Sequence, residues 1–124
     1  MKGRIVMREG AIDGAEADAI LDARCDAAQP EESLRASFRA SLDAARARGC
    51  RRVAAPALGA GRGGVPIQRC AEILFDEARR HLAGETCIDE IRFVVEGEPT
   101  FRVFEAVQDA ARIAEQMERL RQRS

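Results

Sequence analysis

VAAPALGAGRGGVP, residues 53–66, passes from a small apolar segment into a loop and then to a proline. The loop holds four of the ten glycines in the chain. Glycine loses more backbone entropy on folding than any other residue, so such a cluster serves a tight turn or the close approach of a ligand. An apolar strand, a glycine loop and a helix beginning at Pro66 form the repeating unit of an α/β fold.

The same unit recurs on both sides of this stretch. We predict strands in RIVMREG, ADAILDA, CRRVAAPAL and IDEIRFVVEG, and helices over residues 30–49, 66–84 and about 99–123. Alternating strands and helices favour parallel pairing, right-handed crossovers and helices on both faces of the sheet. The sequence therefore predicts one α/β domain over residues 1–124, without a linker or an internal repeat.

Apolar spacing predicts the core of this domain. A row in the first helix repeats at helical intervals, and so does a stripe in the second. The expected core residues are Leu34, Phe38, Leu42 and Ala45 in the first helix, Ile67, Cys70, Ala71, Leu74, Ala78 and Leu82 in the second, and Ile91, Phe93 and Val95 in the last strand.

Composition excludes several classes of protein. Apolar residues make up 46% and charged residues 33%, as in globular domains and unlike disordered chains. The net charge of -1 gives no basic field, so we predict no nucleic-acid partner. No apolar stretch is long enough for a bilayer, and MKGRIVMREG lacks the apolar core of a signal peptide. We therefore expect no membrane partner and a cytoplasmic location.

Metal and cofactor chemistry is not expected either. Cys25, Cys50, Cys70 and Cys87 are scattered without a C-x-x-C pair, and the chain has one histidine. Zinc sites need closely spaced Cys and His ligands. We predict no metal site and no cofactor.

The glycine loop has the chemistry of an anion site. In parallel sheets, ligands bind beyond the carboxyl ends of the strands, and this loop follows the third predicted strand. Backbone N–H groups in such a loop and at a helix N-terminus attract phosphate, and the Arg62 guanidinium can add an ionic contact. The predicted ligand-binding residues are Gly59, Ala60, Gly61, Arg62, Gly63 and Gly64. A turn that binds nothing explains the loop equally well.

Two common phosphate motifs do not fit. A P-loop needs Lys and then Ser or Thr after its last glycine, where this chain has Val65 and Pro66. Gly59, Gly61 and Gly64 match G-x-G-x-x-G, which usually opens the first strand–helix unit of a dinucleotide-binding fold. Here another unit precedes it, and the acidic residue at the end of the next strand comes too late.

A different family fits better. VAAPALGAGRGGVP, the amphipathic helix after it and IDEIRFVVEGEPTFRVFEAV resemble the C-terminal half of a macro domain. GAIDGAEADAILDA is similar to that family's Gly-Asp-Ile turn and the strand that follows it. In macro domains the glycine loop wraps the diphosphate of ADP-ribose. The resemblance implies a module that binds ADP-ribose or a related phosphorylated nucleotide.

The chain also departs from the family pattern. The Asp that recognises adenine falls on Ala11, and the aromatic residue that packs on adenine falls on Glu96. Two Asn residues near the distal ribose fall on Asp22 and Cys25, and only a short link from Cys25 to Pro30 replaces the ribose loop, its helix and the strands after it. The resemblance then implies a truncated three-layer α/β/α core with a mainly parallel four-stranded sheet in the order 1-4-3-2.

Catalysis is a weaker expectation than binding. Macro domains that hydrolyse ADP-ribose derivatives hold a water between the distal ribose and the diphosphate. Asp22 is the ionisable residue that falls near the corresponding place, and we name it as the candidate catalytic base. No partner for it is identified in the sequence. We expect a binding module without catalysis; a hydrolase of ADP-ribose derivatives and a non-binding interaction protein stay open.

Two features suggest a homodimer. Truncation would leave ADAILDA as an edge strand with unpaired backbone groups. The last helix also carries an apolar stripe at coiled-coil spacing. Its residues are Val103, Val107, Ala110, Ala114 and Met117, widened by Ile113 and Leu120. Packing of this stripe on its own sheet is the alternative, and we expect it for the first half of the helix.

Overall fold

A computed structural model describes residues 3–12, 17–23, 26, 28–57 and 64–123. The strands are β1 (Arg4–Glu9), β2 (Ala19–Ile20), β3 (Arg52–Ala55) and β4 (Glu90–Val95), and the helices are α1 (Pro30–Ala47), α2 (Ile67–Ala83) and α3 (Glu98–Arg123). Each predicted element is present. β2 is much shorter than ADAILDA, because only Ala19 and Ile20 pair with β3.

The four strands form one parallel sheet in the order β1-β4-β3-β2. The predicted order and pairing are therefore confirmed. β4 lies between β1 and β3, with Phe93 opposite Met7 on one side and Ala55 on the other. Since all strands run the same way, their carboxyl ends share one edge of the sheet.

Local sequence signals explain where α1 begins and ends. Pro30 occupies the first helical position, Glu31 and Glu32 lie in the first turn, and Arg46 lies in the last. These charges complement the helix dipole. Gly49 follows with φ +79°, a left-handed conformation that favours glycine after a helix. The predicted row of Leu34, Phe38, Leu42 and Ala45 is buried, as expected.

A cluster of four phenylalanines joins the helices to the sheet. The ring of Phe93 on β4 lies 6.2 Å from Phe38 of α1, 4.9 Å from Phe75 of α2 and 6.2 Å from Phe104 of α3. All three helices therefore pack against the same face of the sheet. The sequence predicted helices on both faces of the sheet. In the described part of the chain the helices form one layer, because a phenylalanine of each helix contacts Phe93.

α3 divides into two parts. Its first half packs on the domain through buried Phe104 and partly buried Val107, and the Gln108 side-chain amide donates to the Ile5 carbonyl at 3.4 Å. From Arg112 to Arg123 every residue is exposed. Of the stripe residues expected to pack on the sheet, Val107 packs against the core, whereas Ala110 is exposed. None of the described helices is long and apolar enough to cross a membrane.

Glu77 forms the buried charged contact between α1 and α2. Its side chain is 2% exposed. Its carboxylate accepts hydrogen bonds from Arg39 at 2.8 and 3.0 Å and from Arg35 at 2.7 Å. These bonds, that of Arg39 above all, hold the pKa of Glu77 below its ordinary value of 4.5. The ionised carboxylate is thus part of the helix interface.

Replacing this carboxylate tests its contribution. Glu77→Gln keeps the size but removes the charge, and should lower the free energy of unfolding at pH 7 by about 1–2 kcal/mol. A depressed pKa stabilises the folded state above the unfolded value and loses that effect as the pH falls through the folded value. The difference between the two proteins should therefore shrink in acid, below the ordinary pKa of 4.5.

Urea denaturation at neutral and acidic pH measures both effects. Glu72→Gln, on the same helix but with a half-exposed carboxylate, is the matched control and should cost less than about 1 kcal/mol. An equal loss of stability in the two variants at pH 7 would contradict the assigned role of Glu77.

Candidate functional site

A pocket opens at the carboxyl ends of β3 and β4, where the sequence placed the ligand site. Its volume is about 380 Å³. Its lining comes from the segments after β1, β3 and β4 and from the starts of α2 and α3. The lining residues are Ile12, Pro56, Ala57, Ile67, Val94, Val95, Glu96 and Thr100.

Two backbone features bring these segments together. The Gly10 N–H donates to the Val95 carbonyl at 2.9 Å, which fixes the chain after β1 against the end of β4 and places Ile12 at the pocket. Gly97 has φ +88°, so the chain can reverse between β4 and α3 with little strain. This reversal brings Thr100, in the first turn of α3, to the pocket wall.

The wall is mostly apolar, with two polar side chains. Ile12, Ile67 and Val95 supply aliphatic surface. The polar groups are the carboxylate of exposed Glu96 and the hydroxyl of half-buried Thr100. Ligand sites commonly combine an apolar lining with a few polar groups that set orientation.

The start of α2 supplies positive potential beside the pocket. α2 begins at Ile67, itself a lining residue, after Pro66. Its first turn contains no acidic residue and no side chain caps it. By contrast, α1 carries two glutamates in its first turn and α3 carries Glu98. The first turn of α2 therefore carries no carboxylate that would offset the partial positive charge of its N–H groups. This arrangement favours the binding of an anion.

Most of the predicted loop lies outside the described residues. Gly59, Ala60, Gly61, Arg62 and Gly63 are not described, and Gly64 is half-buried beside buried Val65. The described residues that flank the loop are Ala57 and Gly64. Ala57 lines the pocket, and Gly64 lies three residues before α2. The loop therefore connects two segments that border the site.

Asp22, the candidate catalytic base, does not line this pocket. It follows β2, and its backbone N–H donates to the Ser41 hydroxyl of α1 at 3.0 Å. Its exposed carboxylate accepts a hydrogen bond from the Ala23 N–H at 2.9 Å. Cys25, the counterpart of Asp22 in the family pattern, lies outside the described residues.

None of the eight lining residues was predicted as a ligand-binding or catalytic residue. Each of them lies at or just beyond a strand end or in the first turn of the following helix. The general position of ligands in parallel sheets could have indicated them. Within the described ranges, no group of three His, Cys, Asp or Glu side chains could hold a metal ion.

Comparison with known proteins agrees with this architecture. A sequence profile of the macro domain family matches residues 18–74. The Trypanosoma brucei macrodomain in complex with ADP is similar in structure, with a TM-score of 0.73 at 16% identity, over 83% of this chain and 68% of that one. The same macrodomain in complex with ADP-ribose gives a TM-score of 0.73 at 16% identity, over 82% of this chain and 68% of that one.

A bacterial structure is also similar. The Oceanobacillus iheyensis macrodomain with MES bound has a TM-score of 0.60 at 18% identity, over 65% of this chain and 42% of that one. This chain therefore spans about two thirds of the trypanosomal macrodomain and less than half of the bacterial one. None of the curated proteins matches the sequence. The resemblance that the sequence motifs indicated is confirmed by the profile and by the fold.

Proposed function

We propose that this chain, which has the macro domain fold, binds ADP-ribose or a related phosphorylated nucleotide beyond the carboxyl ends of β3 and β4. One observation carries the proposal: the glycine loop of the sequence joins Ala57, at the pocket wall, to the start of α2. The structurally similar trypanosomal macrodomain was solved in complex with ADP and with ADP-ribose.

A diphosphate is the group that this end of the sheet suits best. Backbone N–H groups of a glycine loop can surround phosphate oxygens closely, because no Cβ intervenes. The first turn of α2 adds favourable potential and contains no acidic residue of its own. The guanidinium of Arg62 supplies the positive charge that a doubly charged ligand needs.

The adenosine end of the ligand would be held weakly. The apolar pocket with Ile12, Val95 and Thr100 can accept a ring, but Glu96 stands where the family pattern has an aromatic residue, and Ala11 stands where it has Asp. A hydrogen bond to the base contributes about 1 kcal/mol net. We therefore expect ADP-ribose, ADP and pyrophosphate to bind with similar affinities.

Gly61→Val tests the diphosphate cradle. The valine side chain would occupy space that the phosphate needs, so affinity should fall at least roughly ten-fold in calorimetric titration with ADP-ribose and with pyrophosphate. Gly84→Val is the matched control: Gly84 is exposed, its backbone is extended (φ -94°, ψ -170°), and an added Cβ meets its nearest atom at 3.7 Å. This control should bind like the wild type.

Equal affinity in the wild type and Gly61→Val would refute the cradle. If the wild type binds none of these compounds, the interaction-protein alternative replaces the binding function.

Glu96→Phe tests the adenine end. An aromatic ring on this pocket wall should stack on adenine, worth about 1 kcal/mol or more, and tighten ADP-ribose binding roughly five-fold. The affinity for pyrophosphate should increase less, because pyrophosphate has no ring to stack. Glu96→Gln is the control, since it removes the same negative charge without adding a ring. If Glu96→Phe and Glu96→Gln raise the affinity for ADP-ribose and for pyrophosphate equally, the lost charge rather than stacking is responsible, and the adenine site lies elsewhere.

Binding without turnover is the second part of the proposal. A general base needs a partner that orients it or a substrate within hydrogen-bond reach. In the described part of the chain, the carboxylate of Asp22 bonds to the Ala23 N–H and does not line the pocket. We expect no release of ADP-ribose from an ADP-ribosylated protein, measured beside Asp22→Asn. Turnover that this variant loses would establish the hydrolase instead.

A further inference from the structure

The second half of α3 presents large apolar side chains to solvent. Ile113, Met117 and Leu120 are 57%, 58% and 63% exposed. They recur at intervals of four and three residues, so they lie along one side of the helix. Only Ile20 joins them among the large hydrophobic side chains exposed in the described residues. An aligned apolar patch of this kind marks an interaction surface more often than scattered exposed residues do.

The first half of α3 borders a groove with small side chains. The groove lies between α2 and α3 and has a volume of about 530 Å³. Along α3 its lining includes Val103, Ala106 and Ala110, and α2 contributes Gln68 and Glu72. Arg79 of α2 and Arg102 of α3 also line the groove. Apart from Arg102, the α3 side of the groove carries only Val and Ala side chains, which leave room for larger side chains.

The groove and the exposed patch belong to one continuous seam. Val103, Ala106 and Ala110 precede the exposed residues at heptad spacing, so that Val103, Ala110 and Met117 form one row and Ala106, Ile113 and Leu120 form the other. We call these six residues the α3 seam. Its first half carries Val and Ala, and its second half carries Ile, Met and Leu.

We propose that a second copy of this chain covers the seam, with the two α3 helices antiparallel. In one register every large residue meets a small one: Leu120 lies opposite Val103, Met117 opposite Ala106, and Ile113 opposite Ala110. The two-fold axis repeats each pair, so the large half of each helix fills the groove beside the small half of the other. A parallel pair would place large beside large and leave the Ala positions unfilled.

The helix dipoles favour the same orientation. α3 has Glu98 in its first turn and Arg121 and Arg123 in its last. Antiparallel pairing opposes the two helix dipoles, and in this register it places Arg121 opposite Arg102, whose guanidinium already pairs with Glu98 and Glu105 of its own helix. Parallel pairing would bring Arg121 and Arg123 together with their own copies.

Two other ways to cover the patch are weaker. In the second half of α3, Arg112, Glu115 and Arg119 border β1 and α2, and the patch lies on another side of the helix, so it does not face its own core. The edge strand β2 pairs over only Ala19 and Ile20, and so short an edge offers few backbone groups to a second chain.

Sedimentation of the full chain tests the dimer. The wild type should sediment as a dimer at micromolar concentration. Met117→Glu with Leu120→Glu should raise the dissociation constant on the order of 100-fold. Gln122→Glu is the control, because it adds a negative charge in the last turn, off the seam, and should dimerise like the wild type. Since the replaced residues are exposed in the single chain, circular dichroism should show the same helix content, and the melting temperature of the wild type should rise with protein concentration while that of the variant should not.

A pair of single variants tests the register. Ala106→Glu and Met117→Lys should each fail to form a homodimer but associate with each other, because the carboxylate introduced in one copy would then meet the ammonium group introduced in the other. In a parallel pair these two positions are far apart, and mixing would restore nothing. A monomeric wild type, or a dimer that survives the double glutamate variant, would overturn the proposal; failure of the mixture alone would overturn the antiparallel register.

Discussion

The contact of three phenylalanine rings with Phe93 is the constraint on which the rest of the structure depends. β4 lies inside the sheet, so a fully buried ring at its centre is reached by α1, α2 and α3 at once. The chain has no Trp or Tyr, and these rings are four of its five aromatic residues. Burial of each ring contributes about 2–3 kcal/mol, and edge-to-face pairs add to it.

This constraint leaves the opposite face of the sheet without a described helix. On that face, long charged side chains cover part of the sheet. Glu90 on β4 is nearly buried and accepts hydrogen bonds from Arg4 at 2.9 Å and from Arg92 at 2.7 Å. The aliphatic stems of such arginines cover apolar surface while their charged ends meet carboxylate or water. In the described residues, these side chains cover part of the face that carries no helix.

The sequence allowed the fold to be predicted because its signals are local. Helical periodicity identified Leu34, Phe38 and Leu42 as core residues, and the strand–helix alternation predicted parallel pairing; both are confirmed. Contacts between side chains of different helices could not be predicted from the sequence. The contact of Glu77 with Arg35 and Arg39 requires the spacing of α1 against α2, which no short stretch encodes.

In the candidate site, too, local signals could be predicted and contacts between elements could not. The position of the pocket agrees with the rule for parallel sheets, and two motifs that resemble macro domains, GAIDGAEADAILDA and VAAPALGAGRGGVP, contain three of its lining residues, Ile12, Pro56 and Ala57. Thr100 was missed because it belongs to the next helix and reaches the pocket only through the reversal at Gly97.

The start of α3 connects the two surfaces discussed above. Thr100 lies in the pocket wall, and Val103, one turn further on, opens the α3 seam. In the proposed antiparallel register, the last turn of one α3 would lie beside the first turn of the other, which contains Thr100. Arg121 and Arg123 of that last turn would add positive potential near the pocket, where Glu96 lines the wall. Dimerisation would then supply, from a second chain, positive charge at a site whose own wall offers a carboxylate.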